Sequence, residues 1–182
     1  MVENQEKNIV NKVIVVTGGS RGIGSEIVKK LARIGYKVIL NYNKSEKCAK
    51  NVENELKNEG IAVDIFRADV SKREEADSLI QFTEKKYGRI DVLINNAGIS
   101  QTKLFTDITD EDWKNMIDNN LTSAFYCSRE AAKNMIHNKS GLIINISSIW
   151  GITGSSCEVH YSTSKAGLIG FTKALAKELR TI

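Results

Sequence analysis

The stretch KVIVVTGGSRGIGSEIVKKLARI, residues 12–34, joins an apolar run to a helical pattern through a glycine-rich turn. The run 12–17 is short and rich in β-branched residues, as is typical of a buried parallel strand. Residues 18–24 predict a turn, and the helical period over 23–34 ends at Gly35, a residue type that often terminates helices. The stretch therefore predicts a strand, a tight turn and a helix in direct succession.

The same alternation of strand and helix continues from this unit to the end of the chain. Further strands are predicted over 36–42, 61–68, 89–95 and 141–147. Helices are predicted over 45–59, from the capping-box pattern Ser71-Lys-Arg-Glu74 to Tyr87, from Thr109 or Asp110 to around His137, and from near Glu158 to Ile182. This alternation, with continuous apolar strands, predicts an α/β fold of three layers, a doubly wound parallel sheet between two layers of helices.

The composition is that of a globular chain of ordinary polarity. Of 182 residues, 41% are hydrophobic and 26% charged, and the net charge of +4 comes from lysines interleaved with glutamates. This pattern is typical of a solvated surface and indicates no nucleic-acid partner. Cys48, Cys127 and Cys157 show no metal or redox spacing, so we expect reduced thiols. Residues 1–11 lack a signal-peptide core and no run is long enough to span a membrane, so we expect a cytoplasmic protein.

The glycine-rich turn, Thr17-Gly-Gly-Ser-Arg-Gly-Ile-Gly24, is a candidate nucleotide-binding element. Such turns occur in many proteins, but here a strand precedes the turn and a helix follows it, as in dinucleotide-binding units. Glycines let the backbone approach a pyrophosphate, and the amino terminus of the following helix favours its negative charge. We therefore interpret the turn as a dinucleotide site.

The end of the second strand bears on which dinucleotide is bound. Sites for NAD carry an acidic residue there, which binds the ribose 2′-hydroxyl. This strand ends in Leu40-Asn-Tyr-Asn-Lys44, without an acidic residue. Arg21 and Lys44 could pair with a 2′-phosphate, which favours NADPH over NADH. The alternative is that both cations are merely solvated.

Polar residues at three further places have two interpretations each. Asp69, after the third strand, could accept a hydrogen bond from an adenine amino group or cap the next helix. The amides in Asn95-Asn-Ala-Gly98 could bind the cofactor or hold the backbone at a strand end. Asn120 lies within a predicted helix, where Asn is unfavourable. It is either part of a surface pair or a buried residue that distorts the helix and holds a water.

Tyr161 and Lys165 form a candidate catalytic pair. Their spacing of four residues places a phenol and an ammonium on one face of the last helix. A nearby fixed positive charge favours the phenolate, so the pair is a plausible proton donor and acceptor. Ser148 lies thirteen residues before Tyr161 and ends a short apolar run. His160 points about 100° away from Tyr161 on a helix, so we expect it on the surface.

Together these motifs resemble the short-chain dehydrogenase/reductase family over the whole chain from Lys12. The motifs occur in the family's order: Thr17–Gly24, Asn95–Gly98, Asn120, Ser148, Tyr161 and Lys165. The resemblance implies a Rossmann-type fold and metal-free catalysis by an Asn-Ser-Tyr-Lys tetrad. Tyr161 would protonate a ketone oxygen that Ser148 also binds; Ser147 is the rival, but the spacing to Tyr161 favours Ser148. Lys165 would assist Tyr161 and bind the nicotinamide ribose, and Asn120 would position a water.

The resemblance also implies a substrate and a set of cofactor contacts. Bacterial 3-oxoacyl-[acyl-carrier-protein] reductases show similar motifs and use NADPH, so we expect a 3-oxoacyl thioester on acyl carrier protein. The runs Ser148-Ile-Trp-Gly151 and Ser156-Cys-Glu-Val159 resemble a subgroup that reduces a 5-aminopentanone group on elongation factor P. A non-catalytic nucleotide-binding module of the same fold is the remaining alternative. The expected cofactor contacts are Gly18, Ser20, Arg21, Gly22, Ile23, Gly24, Asn43, Asp69, Val70, Asn96, Ala97, Gly98, Tyr161 and Lys165.

The chain departs from the family pattern at its carboxyl end. Family members continue after the Tyr-Lys helix with further strands and a substrate-covering lid. We therefore expect one nucleotide-binding domain over 1–182, incomplete at its C-terminus, with the fifth strand as an unpaired edge. We expect the full-length form to be a homo-oligomer, a dimer or tetramer, and the 182-residue chain to be poorly stable and nearly inactive.

Overall fold

In the part of the chain that the structure describes, five parallel strands form one sheet, in the order β3-β2-β1-β4-β5. The computed structural model describes residues 12–180. The polar segment 1–11 and the predicted end of the last helix at Ile182 therefore lie outside the described residues. The strands are β1 (Val13–Val16), β2 (Lys37–Tyr42), β3 (Asp64–Arg67), β4 (Val92–Asn95) and β5 (Leu142–Asn145). Each lies inside the range predicted for it.

Helices connect these strands along the chain. The α-helices are α1 (Gly22–Ile34), α2 (Glu46–Asn58), α3 (Arg73–Tyr87), α4 (Asp110–Ile117), α5 (Ser123–His137), α6 (Trp150–Thr153) and α7 (Val159–Leu179). A 3₁₀ turn spans Phe105–Asp107, and a π-helical segment, Asp118–Thr122, joins α4 to α5. Gly35 ends α1 with φ of 104°, a left-handed conformation that glycine adopts without strain.

The strands bury side chains on both faces of the sheet, because successive residues of a strand point to opposite sides. Val13 and Val15 lie in one core with apolar residues of α3 and α5. Ile14 and Val16 lie in the other core with apolar residues of α1 and α2. The sheet is therefore covered by helices on both faces, and the predicted doubly wound, three-layer α/β fold is confirmed.

Two helix details differ from the sequence prediction. Ser71 does not cap α3; its hydroxyl donates to Asp69 Oδ1 at 2.6 Å, and α3 begins after Lys72. A capping serine would accept from a backbone N–H of the helix, but the Ser71 hydroxyl is bonded to the carboxylate two residues upstream, so a local turn forms instead of the capping box. Thr109 does form a capping box, with Asp112. The single helix predicted from there to His137 is interrupted by the π segment.

β5 lies at one edge of the sheet in the described part of the chain, as expected. Its side chains Leu142 and Ile144 are 53% and 37% exposed. A groove of about 480 Å³ runs between this strand and the carboxyl-terminal half of α7. This side of the sheet therefore presents an accessible apolar surface.

Within residues 12–180, no helix combines the length and apolarity needed to cross a membrane.

The strand order fixes where a ligand can bind. The chain runs outward from β1 through β2 to β3, and then returns to place β4 on the other side of β1. In open α/β sheets, ligands bind at such a reversal, outside the carboxyl ends of the strands. The glycine-rich turn follows β1, and the segment Asn95–Gly98 begins at the end of β4. Both predicted motifs therefore lie at the same edge of the sheet.

Candidate active site

The glycine-rich turn packs closely against the backbone that follows β4. A Cβ on Gly18 would lie 2.9 Å from Ala97 Cα, and a Cβ on Gly24 would lie 2.4 Å from the Gly18 carbonyl oxygen. Gly18 and Gly22 also have φ values of +63° and +55°, which other residues rarely adopt. Only glycine allows the turn to close this tightly, and the turn leads directly into the amino end of α1.

Side chains of two neighbouring strands hold this turn in place. The Thr17 hydroxyl accepts hydrogen bonds from the backbone N–H groups of Asn96 and Ala97, each at 3.0 Å. The Asn96 amide donates to the carbonyl oxygens of Thr17 and Gly18 at 3.0 and 3.1 Å. Asn96 therefore holds the backbone at the strand end, as one interpretation of its motif predicted, and its backbone also borders the open space beside the turn.

Asn41 is a buried support of the turn that the sequence pattern did not single out. Its Oδ1 accepts from the Gly18 N–H at 3.2 Å, and its Nδ2 donates to the Ala68 carbonyl at 3.0 Å. The side chain is 1% exposed. The sequence feature that could have identified Asn41 is its position as a polar residue at the end of an otherwise apolar strand, β2. Asn41 ties the ends of β1, β2 and β3 together beneath the turn.

A cleft of about 710 Å³ opens above these strand ends. Most of the expected cofactor contacts line it, and Tyr161 and Lys165 do not. Ile23, at the tip of the turn, is 66% exposed. The expected contacts that the structure brings together around the cleft are Gly18, Ser20, Arg21, Gly22, Ile23, Gly24, Asn43, Asp69, Val70, Asn96, Ala97 and Gly98.

Three charged residues line the cleft. Arg21 and Lys44 are exposed. The third is Asp69, whose Oδ1 accepts from both the N–H and the hydroxyl of Ser71 at 3.2 and 2.6 Å. Burial raises the pKa of Asp69, but hydrogen bonds from Ser71 and Asn43 and the charge of Lys72 together lower it overall. Asp69 thus forms the turn into α3 and also presents a carboxylate to the cleft.

Tyr161 and Lys165 lie on one face of α7, as predicted. The Lys165 ammonium is 5.8 Å from the centroid of the Tyr161 ring and donates to the Ile146 carbonyl at 2.8 Å. The residue is 5% exposed. Burial lowers the pKa of Lys165, because desolvation penalises the charged form. The pair is therefore a phenol beside a buried amine with one backbone partner.

Ser148 lies in the turn between β5 and α6. Its Oγ accepts from the Trp150 N–H at 3.2 Å, which leaves the hydroxyl hydrogen to donate elsewhere. The Trp150 indole packs edge-on against Tyr161, with ring centroids 6.0 Å apart. Ser147 instead donates to the Lys165 carbonyl at 2.9 Å. Ser147 therefore binds the backbone of α7, and Ser148 binds the backbone of Trp150, the residue whose indole packs on Tyr161.

Asn120 is buried in the π segment, with 1% of its surface exposed. Its Oδ1 accepts from the Ile99 N–H at 2.7 Å, and its Nδ2 donates to the Ile99 carbonyl at 2.9 Å and to Ser164 Oγ at 3.1 Å. Ser164 in turn donates to the Tyr161 carbonyl at 2.7 Å. The prediction of a buried Asn that distorts its helix is confirmed, and its amide joins the segment after β4 to α7.

The cleft and the Tyr161 pair meet at Gly98. A Cβ on Gly98 would lie 2.9 Å from Asn120 Oδ1 and 3.6 Å from Lys165 Nζ. Gly98 also lines the cleft. One glycine backbone therefore separates a space of nucleotide size from a buried amine and its phenol.

Comparison with known proteins identifies this arrangement. The short chain dehydrogenase family matches residues 12–182. The chain belongs to this family. A 3-oxoacyl-[acyl-carrier-protein] reductase of Synechocystis sp. is 45% identical over 168 residues, 92% of this chain and 68% of the relative. A reductase of the same name from Staphylococcus epidermidis is 39% identical over 170 residues, 93% of this chain and 70% of the relative.

Solved structures agree with this assignment to the short-chain dehydrogenase family. A metagenomic short-chain oxidoreductase in complex with NADP superposes with a TM-score of 0.91 at 33% identity, over 95% of this chain and 78% of that one. The protein gox2181 superposes with a TM-score of 0.89 at 29% identity, over 97% and 70% of the two chains. The expected fold class is therefore shared with an oxidoreductase of known structure.

One expectation for this short-chain dehydrogenase was wrong. His160 is not on the surface but fully buried, with 0% exposed. Its ring is bonded to Gln101, and the loop 101–103 covers the start of α7. Long-range packing of this kind leaves no periodic signal in the sequence.

Within residues 12–180, no group of His, Cys, Asp or Glu side chains is arranged to hold a metal ion.

Proposed function

We propose that this short-chain dehydrogenase uses NADPH to reduce a ketone to an alcohol, and that the ketone is a 3-oxoacyl thioester on acyl carrier protein. The observation that carries the proposal is the meeting of the cleft with Lys165 and Asn120 at Gly98. The names of the relatives at 45% and 39% identity support the thioester substrate.

The residues around the cleft fit a dinucleotide. The amino end of α1 has no side-chain cap and no acidic residue in its first turn. Its N–H groups are therefore free to bind a phosphate, and the helix dipole favours the negative charge. The approach of Gly24 to the Gly18 carbonyl keeps side chains out of the path of the pyrophosphate. A bound NADPH would supply a hydride to the carbonyl carbon.

The chain's own residues would supply the proton and stabilise the developing charge. The Tyr161 hydroxyl donates its proton to the ketone oxygen, and the free hydroxyl hydrogen of Ser148 donates a hydrogen bond to the same oxygen. Lys165 stands beside Tyr161 and would bind the nicotinamide ribose. Tyr161 would regain its proton through Lys165 and a water near Asn120. The carbonyl carbon gains the hydride and the oxygen gains the proton, which balances the reduction.

The test of the function measures loss of NADPH absorbance with three ketones. Acetoacetyl-acyl carrier protein is expected to be reduced with the highest kcat/KM, and acetoacetyl-CoA more slowly. Elongation factor P bearing a 5-aminopentanone group is the competing substrate, and its faster reduction would reassign the enzyme to that subgroup. NADPH binding by fluorescence titration without turnover of any ketone would identify a nucleotide-binding module instead.

The preference for NADPH depends on the two cations of the cleft. Replacing both Arg21 and Lys44 by Ala is expected to weaken NADPH binding by about tenfold, because the 2′-phosphate loses charge-assisted hydrogen bonds. NADH lacks that phosphate, so its Kd is expected to stay the same. Lys30→Ala, an exposed lysine on α1 outside the cleft, is the matched control. Equal weakening of NADH and NADPH in the double variant would refute the assignment.

A homo-oligomer is also part of the proposal. Phe125 on α5 is 41% exposed and packs edge-on against Phe171 of α7, with centroids 6.5 Å apart. The Arg129 guanidinium lies 4.9 Å from the Phe125 ring centroid. Exposed aromatic and arginine side chains are enriched in protein interfaces, which supports association through α5 and α7.

A further inference from the structure

His160 is a buried titratable residue that the proposed reaction does not use. It immediately precedes Tyr161 in the first turn of α7 and is 0% exposed. Its Nε2 atom lies 2.9 Å from Gln101 Oε1. Its Nδ1 atom makes no hydrogen bond with any residue in the described range 12–180. A single hydrogen bond of the ring therefore joins the start of the catalytic helix to the segment after β4.

Asp112, which binds the other end of the Gln101 amide, determines which atoms of Gln101 and His160 carry the shared proton. Gln101 Nε2 donates to Asp112 Oδ1 at 3.0 Å. The pKa of Asp112 is held well below its usual range, first of all by the hydrogen bond from Lys103. The ionised carboxylate can only accept, so Gln101 must turn its amide nitrogen toward Asp112 and its oxygen toward His160. His160 must therefore carry a proton on Nε2 and donate it to Gln101.

Two neighbouring hydrogen bonds join the same two segments. The Thr102 hydroxyl donates to Glu158 Oε1 at 3.2 Å. The Lys103 N–H donates to the Cys157 carbonyl at 2.8 Å. Three consecutive residues, 101–103, are therefore bonded to the residues that come directly before Tyr161. We call these three contacts the clasp.

The other end of the clasped segment touches the catalytic residues. Asn120 binds both the N–H and the carbonyl of Ile99. Gly98 approaches Lys165, as described above. Residues 98–103 therefore connect Lys165 and Asn120 at one end with the start of the Tyr161 helix at the other. A change in the clasp would move the Tyr161 hydroxyl relative to the cleft, and a misplacement of about 1 Å can slow a reaction by about 100-fold.

We infer that His160 is a positioning residue, whose hydrogen bond to Gln101 sets the place of the Tyr161 hydroxyl against the cofactor cleft. The inference rests on the proposed ketone reductase activity for its kinetic readout. His160 acts through the backbone of α7 and has no contact with the reacting atoms.

The test compares variants at both ends of the hydrogen bond. His160→Ala is expected to lower kcat for acetoacetyl-CoA by about 10- to 100-fold, while the Kd for NADPH changes by less than about twofold. His160→Gln keeps an N–H near the position of Nε2 and is expected to recover most of the lost kcat. Gln101→Ala removes the acceptor from a half-buried position, so it is expected to give the same loss without a cavity in the core. The double variant is expected to be no slower than Gln101→Ala, because each single variant already removes the shared contact between His160 and Gln101.

His137→Gln is the matched control, because this second histidine of the chain lies exposed at the end of α5. It is expected to leave kcat and the Kd for NADPH unchanged. Rates are expressed per folded molecule, with the folded fraction taken from urea unfolding curves. An unchanged kcat in His160→Ala, an equal loss in NADPH binding, or no recovery in His160→Gln would each overturn the positioning role.

If the proposed function is wrong, the wild-type protein will not oxidise NADPH with acetoacetyl-CoA. The positioning role is then read from Trp150, which packs on Tyr161. Trp113→Phe leaves Trp150 as the single tryptophan, since the chain has two. In that background His160→Ala is expected to shift the Trp150 emission and His160→Gln to restore it. An emission spectrum that His160→Ala does not change would refute the role.

Discussion

Replacing Tyr161 by Phe is expected to lower kcat for a ketone substrate by about 10²- to 10⁴-fold, the usual contribution of a general acid. The change removes the hydroxyl of a ring whose centroid lies 5.8 Å from the buried Lys165 ammonium. The ring itself remains, so its edge-on packing with Trp150 is kept. The Kd for NADPH is expected to change by less than about twofold, because the cleft lies around the glycine-rich turn. Turnover is followed by NADPH absorbance and binding by fluorescence titration.

Tyr36→Phe is the matched control for this prediction. Tyr36 comes directly before β2, at the edge of the sheet opposite to the cleft, and packs against one of the two cores. Removal of its hydroxyl is expected to leave both kcat and NADPH binding at the wild-type level. If Tyr161→Phe kept wild-type turnover, Tyr161 would not be the proton donor and the proposed mechanism would be wrong.

Replacing Gly24 by Ala is expected to damage the nucleotide cleft and the fold together. The added Cβ would lie 2.4 Å from the Gly18 carbonyl oxygen and 2.5 Å from Asn96 Nδ2. Neither neighbour can give way, because Gly18 is held by Asn41 and the Asn96 amide is bonded to the turn. Overpacking of this kind lowers the free energy of unfolding by about 1–3 kcal/mol. NADPH affinity is expected to fall by at least about tenfold as the turn opens.

Gly170→Ala makes the same chemical change where there is room for it. Gly170 is exposed on α7, and a Cβ there would meet no atom within 4 Å. Alanine is the better helix former, so this variant is expected to raise the free energy of unfolding by about 1 kcal/mol. Urea unfolding and NADPH titration are measured for both variants. Equal behaviour of the two variants would show that the close approach at Gly24 has no role.

Features that depend on local spacing were accessible from the sequence. The alternation of apolar runs and helical periods predicted all five strands of residues 12–180 and the parallel, doubly wound sheet. The strand-turn-helix context predicted the position of the glycine-rich turn. A spacing of four residues on a helix was enough to place Tyr161 and Lys165 on one face, since helical geometry is local.

Features that depend on a partner outside the recognised pattern were not accessible in the same way. Ser71 matched a capping pattern, but its hydroxyl donates to Asp69, which lies outside that pattern, and a turn formed instead. The helix predicted through Asn120 is interrupted, because the buried amide is bonded to Ile99. His160 is buried because residues 101–103 fold across it. In each case the deciding partner lies outside the helical pattern itself.

The sequence by itself determined the class of fold, the motif residues and the pairing of Tyr161 with Lys165, because each depends on periods and spacings within one element. The tertiary structure alone decided how these elements meet. Gly98 brings the cleft against Lys165, Asn120 links the β4 segment to α7, and the clasp holds the first turn of that helix. These contacts join residues far apart in the chain, so their geometry is set by packing of the sheet and helices and not by any local preference.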